Sequence, residues 1–123
     1  MKAAFLLIND GNESDWSTLL QEVVTPMGSL TIISEEATTA EIRREHYDLV
    51  IIDAATVQGP VELVSQLHGC DASIRVIVAA VTPTWQEARA VLRAGAADYL
   101  RRPTNKEELL WVIQTTLDFS ASR

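Results

Sequence analysis

Five short apolar runs, each followed by a stretch of helical periodicity, restrict this chain to very few architectures. Ala3–Ile8, Leu30–Ile33, Leu49–Ile52 and Ile74–Val81 are the strong runs, and Ala97–Leu100 is a weaker one. Three of them are β-branched and continuous rather than alternating. A strand apolar at every position has both faces covered, the condition of a parallel sheet layered with helices. Five β-α repeats satisfy that condition, because each right-handed crossover carries its helix onto a face of the sheet. The expected fold is therefore α/β, a doubly wound five-stranded parallel sheet with five helices, in one domain spanning residues 1–123.

The helices follow from spacing and end signals. Ser14 is placed to cap the first, which carries Trp16, Leu19, Leu20, Val23 and Val24 on one side and ends before Pro26. A short polar helix is expected over Thr39–His46 with Ile42 inward, and another over Val61–Leu67 after Gly59-Pro60. Thr84–Ala94 turns Ala88, Val91 and Leu92 inward and stops at Gly95. The last helix runs from about Asn105 to Phe119 on a core face of Leu109, Val112, Ile113, Thr116 and Leu117, leaving residues 119–123 as a tail or the start of a linker.

Charge and cysteine usage narrow the function classes. A net charge of −7 opposes direct contact with nucleic-acid backbones or anionic membranes, so neither is an expected partner. No run approaches the roughly 20 apolar residues of a membrane span. Ala3–Ile8 breaks off at Asn9-Asp10-Gly11, too early for a signal-peptide core. Cys70 is the only cysteine, so an internal disulfide is impossible; a reducing cytoplasm suits it, and the thiol is expected to pack as a small apolar group.

In open α/β sheets, ligands bind at the carboxyl ends of the strands, near the point where strand order reverses. Strand one ends in Asn9-Asp10, strand three in Asp53, strand four in Ala79-Ala80 and strand five in Arg101-Arg102-Pro103. Two carboxylates and a cation are thus expected on one edge, with Asp10 and Asp53 facing each other. Such a group suits a divalent metal and a phosphoryl group. A flavin-binding electron carrier of similar topology fits poorly, because the acidic loop Asn9-Asp10-Gly11-Asn12-Glu13 would repel the flavin phosphate.

Three segments, Leu6–Asp10, Asp48–Asp53 and Leu92–Pro103, resemble the receiver domains of bacterial two-component response regulators. The most specific is the third, where an Ala-Gly-Ala turn, an Asp-Tyr strand and a basic-Pro pair occur together. The resemblance covers essentially the whole chain. It implies a flavodoxin-like sheet of order 2-1-3-4-5 and a signalling module rather than an enzyme. It also implies that Asp53 accepts a phosphoryl group from a histidine kinase or phosphotransfer protein, with Mg²⁺ neutralising the transferring oxygens. Asp10 and Asp53 match the carboxylate ligands of that metal, the Ala55 backbone carbonyl completes the protein ligands, and Asn9 would act through a bound water. Arg102 matches the cation that contacts the phosphoryl group.

The departures from that pattern open a second reading. Asn9 replaces an acid, so the metal should bind weakly. Ala80 occupies the switch position that usually carries a hydroxyl, and Arg102 stands for a lysine to which it is not equivalent. The domain is then either a receiver phosphorylated on Asp53 or a pseudo-receiver that binds partners without phosphorylation. Tyr99 matches an aromatic position that moves with activation; with Ala80 behind it, the ring is expected to rest inward. Trp111 lies about 200° round the last helix from Leu109, on the outer side with Glu108, Thr115 and Asp118. Together with Tyr99 it marks the face of helix four, strand five and helix five, the usual docking or dimer surface of the resembled family.

Overall fold

The apolar runs form a single parallel sheet in the computed structural model, which describes residues 2–11, 15–102 and 105–121. Its strands are β1 (Ala3–Ile8), β2 (Gly28–Ile33), β3 (Leu49–Asp53), β4 (Val76–Ala80) and β5 (Asp98–Arg101), in the order β2-β1-β3-β4-β5. The helices are α1 (Asp15–Val24), α2 (Thr38–Arg44), α3 (Pro60–Cys70), α4 (Trp85–Ala94) and α5 (Lys106–Ala121), with a 3-10 turn at Glu35–Ala37. The expected α/β class and strand order are both observed.

Every residue of β3 and β4 is buried, as is Phe5–Ile8 of β1, which accounts for their unbroken apolar character. The period of two splits these strands between two cores. Phe5, Leu7, Leu49, Ile51, Ile77 and Ala79 meet Trp16 and Leu20 of α1 and Leu109 and Ile113 of α5. Leu6, Ile8, Val50, Ile52, Val76 and Val78 meet Leu63, Val64 and Leu67 of α3 and Val91 of α4. Each fully buried Leu, Ile, Val or Phe contributes about 1.5–3 kcal/mol, so truncating a central residue such as Ile52 to alanine should cost about 2–5 kcal/mol. The edge strands β2 and β5 are only partly covered.

Local chemistry fixes several boundaries. Thr84 caps α4 by accepting from the Glu87 N–H (3.1 Å), and Pro60 opens α3. Gly95 ends α4 at φ 120°, and a Cβ there would lie 2.8 Å from the His68 ring, so backbone and space both require glycine. The cap expected at Ser14 falls outside the described residues, as does Pro103.

Four local expectations need correction. The segment after β2 begins as the 3-10 turn, and its helix ends at Arg44 rather than His46. There the chain turns extended at Glu45 so that Tyr47 is buried and its hydroxyl donates to the Glu41 carboxylate. Leu92 points out, 48% exposed, because the short α4 buries only Val91 fully and lies on the sheet along the Ala88–Val91–Ala94 line. Cys70 is exposed at the end of α3 rather than packed. The last helix continues past Phe119 to Ala121.

Candidate functional site

Asp53 ends β3 with no solvent exposure, and its carboxylate is engaged on both oxygens. The Ala55 N–H donates to Oδ1 (3.1 Å), the Asn9 side-chain amide donates to Oδ2 (3.2 Å), and the Arg102 guanidinium lies 3.7 Å from Oδ2. The orientation of Asn9 follows from its partners. Its oxygen accepts from the Gly11 N–H (2.7 Å), so the NH₂ must face Asp53. Arg102 also lies over the Trp16 ring, 5.0 Å from guanidinium carbon to ring centroid.

Asp10 holds the segment that follows β2. Its Oδ1 accepts from the Glu35 N–H (2.7 Å) at the start of the 3-10 turn, where a carboxylate satisfies an otherwise open donor. The sheet register accounts for Asn9: Phe5 pairs with Leu49 and Leu7 with Ile51, so the next residue in that series is Asn9, beside Asp53.

This arrangement does not fit a magnesium ion. Magnesium requires an octahedron of oxygens, yet Asn9 presents an NH₂, Asp10 Oδ1 is bonded to the Glu35 N–H, and a guanidinium stands beside Asp53. Among the described residues no three His, Cys, Asp or Glu side chains form a group able to hold a metal. Ala55 meets Asp53 through its N–H.

Sequence reasoning missed the role of Glu35. Its two carboxylate oxygens accept from the Gln58 and Gly59 N–H groups (3.0 and 3.1 Å), tying the turn after β2 to the loop after β3. Its position at a helix start was legible; a partner 24 positions away was not. Thr56 adds a second tie, accepting from the Asp10 N–H (3.0 Å) and donating to the Asp53 carbonyl (3.3 Å).

Ala80 ends β4 buried, with a methyl group where a hydroxyl was at issue. Tyr99 on β5 is half-buried against the α3–α4 core, and α4 holds its hydroxyl: it accepts from the Thr84 N–H (3.2 Å) and donates to Glu87 (2.7 Å). Burial, and then the hydrogen bond to Glu87, push the Tyr99 phenol above its ordinary pKa. Trp111 is 67% exposed on α5, beside exposed Glu107 and Glu108. Across β5, α4 exposes Trp85 (68%) and Leu92 with Arg89 and Arg93. The exposure of Leu92 escaped the sequence reading, because its spacing matched a core position.

No protein-family model matches the chain, and no curated protein matches it. Solved structures do. A CheY-like response regulator receiver domain from Methanospirillum hungatei JF-1 superposes with a TM-score of 0.85 at 21% identity, covering 99% of this chain and 98% of that one. The receiver domain of a LuxO repressor protein from Vibrio parahaemolyticus gives 0.83 at 19% identity over 98% and 94%. HP1043, an orphan response regulator of H. pylori, gives 0.81 at 23% identity over 94% and 96%. The chain therefore has the receiver-domain fold along essentially its full length.

Proposed function

We propose that this chain is a receiver-type signalling module acting through protein–protein contact, with its Asp53 site held in one state by its own side chains. The observation that carries the reading is the engagement of the buried Asp53 carboxylate by Asn9, Ala55 and Arg102. An attacking oxygen would have to shed such contacts, and the rearrangement would lack the neighbouring acid and strand-four hydroxyl that reward it. The partner surface is the α4–β5–α5 face, where Trp85 and Leu92 of α4 and Trp111 of α5 are exposed. Its occupant is an output domain, another signalling protein or a second copy of the chain. Location in the cytoplasm belongs to this reading; no helix of the described residues is long and apolar enough to cross a membrane.

One observation favours a second reading, in which Asp53 accepts a phosphoryl group from a histidine kinase or phosphotransfer protein. Asp53 stands at the end of β3 with a cation and a backbone N–H beside it, groups that could also receive phosphoryl oxygens. Acetyl phosphate with Mg²⁺, followed by intact-mass measurement, separates the two. The proposal expects no phosphoryl gain, and a partner affinity unchanged in Asp53→Asn. A gain lost in Asp53→Asn, with altered partner affinity, would establish phosphotransfer instead.

A further inference from the structure

We infer that Trp16 is a positioning residue for Arg102, and that through this pair the chain carries its own counter-ion for Asp53 in place of a divalent cation. The inference rests on the reading of Asp53 as a site held by its own side chains, and names what holds it.

A fully buried carboxylate requires a compensating charge. Arg102 supplies one, 3.7 Å from Oδ2, yet it leaves the end of β5 on a long side chain with many rotamers. Trp16, on the first turn of α1, lies beneath the guanidinium at 5.0 Å. A flat guanidinium stacks on an indole face, and the stack confines its fork. An ammonium is a strongly hydrated point charge that gains less from such a platform, so arginine at 102 and tryptophan at 16 form a matched pair contributed by different elements. Both halves are sheltered, with the Arg102 side chain 21% exposed and Trp16 7%.

Trp16 carries a second mark of this role. Its indole Nε1 is buried without a hydrogen-bond partner among the described residues. An apolar ring such as phenylalanine would pack in the α1–α5 core without stranding a donor, so hydrogen bonding does not account for an indole here. Its broad aromatic face is what the guanidinium uses.

A double-mutant cycle separates positioning from packing. In thermal unfolding, Trp16→Leu should lower Tm by roughly 10 °C in the wild type, as a large buried truncation. In an Asp53→Asn background the loss should be about 5 °C smaller, since no buried carboxylate then needs the cation. Trp16→Phe should retain most of the coupling. Adding about 10 mM MgCl₂ should leave the wild-type Tm unchanged, because a guanidinium already stands beside Asp53. Equal losses in both backgrounds, or a wild-type Tm raised by Mg²⁺, would overturn the inference. Should Trp16→Leu not fold, wild-type NMR decides: Arg102 side-chain protons shifted upfield by the indole ring support the stack, and random-coil shifts exclude it. Phosphoryl uptake on Asp53 would defeat the proposed function while leaving a measured Trp16–Asp53 coupling standing.

Discussion

Replacing Asn9 by aspartate should make a metal-indifferent site metal-dependent. Asn9 Nδ2 lies 3.2 Å from Asp53 Oδ2 in a buried setting. Exchanging the amide for a carboxylate turns a hydrogen bond into a contact between like charges. At an effective dielectric of about 20, two unit charges at that separation repel by about 5 kcal/mol. Arg102, 3.7 Å from the same oxygen, and modest side-chain withdrawal offset part of this. A net destabilisation of about 2–3 kcal/mol remains, equivalent to a Tm lower by roughly 10 °C for a domain of this size. Two adjacent carboxylates are also what magnesium selects, and the ion at 100 times its dissociation constant restores about 2.7 kcal/mol. Calorimetry of Asn9→Asp with and without MgCl₂ should show the low Tm rising to near the wild-type value with the metal. A Tm indifferent to Mg²⁺ in the variant would show that residue 9 does not neighbour Asp53, and would refute the register on which the site rests.

Further expectations test other parts of the molecule. Glu35→Ala should speed amide hydrogen exchange at Gln58 and Gly59 about tenfold or more, because each loses a charge-assisted hydrogen bond, while the exchange of β3 stays as it was. Trp111→Ala should leave Tm within about 1–2 °C, since the side chain is largely exposed, but weaken partner binding or self-association; unchanged association by sedimentation and titration removes α5 from the interface. The Tyr47 hydroxyl, and then Arg44, hold the Glu41 carboxyl below its ordinary pKa. Its stabilisation is therefore full above the unfolded pKa and lost as pH falls through the folded one, so Glu41→Gln should flatten the acid limb of a Tm–pH curve.

The fold was legible because its signals are local. Continuous apolar β-branched runs report burial on two faces, and strand ends mark the ligand edge before any partner is known. Where one residue's direction depended on a neighbouring helix, the pattern misled. Leu92 has the spacing of a core residue, yet the ten-residue α4 sits on the sheet along Val91 and leaves it outside. Trp16 was legible as core, but not as the platform of Arg102, because 86 residues separate the two and no local pattern links them. Glu35 was likewise readable as an acid at a helix start and unreadable as a clamp on a distant loop.

The site itself held more information than residue types alone convey. Adjacent residues of a regular strand point to opposite faces, so the strand count singles out one of Asn9 and Asp10 as the direct neighbour of Asp53. Counting from the apolar residues decides between them: Asp53 continues the Leu49–Ile51 side of β3, and Asn9 continues the Phe5–Leu7 side of β1. Matching Asp10 to a metal ligand rested on its place in a motif, not on that count. The backbone follows it, since the Asn9 N–H still bonds the Ile33 carbonyl (2.9 Å) as the ladder would require. Asp10 anchors, through Oδ1, the turn whose Glu35 grips Gln58 and Gly59. The neutral residue therefore stands beside the buried acid while the charged one is placed where open N–H groups need it. With that division, Asp53 needs one counter-ion rather than two, and Arg102 on its Trp16 platform is sufficient to provide it.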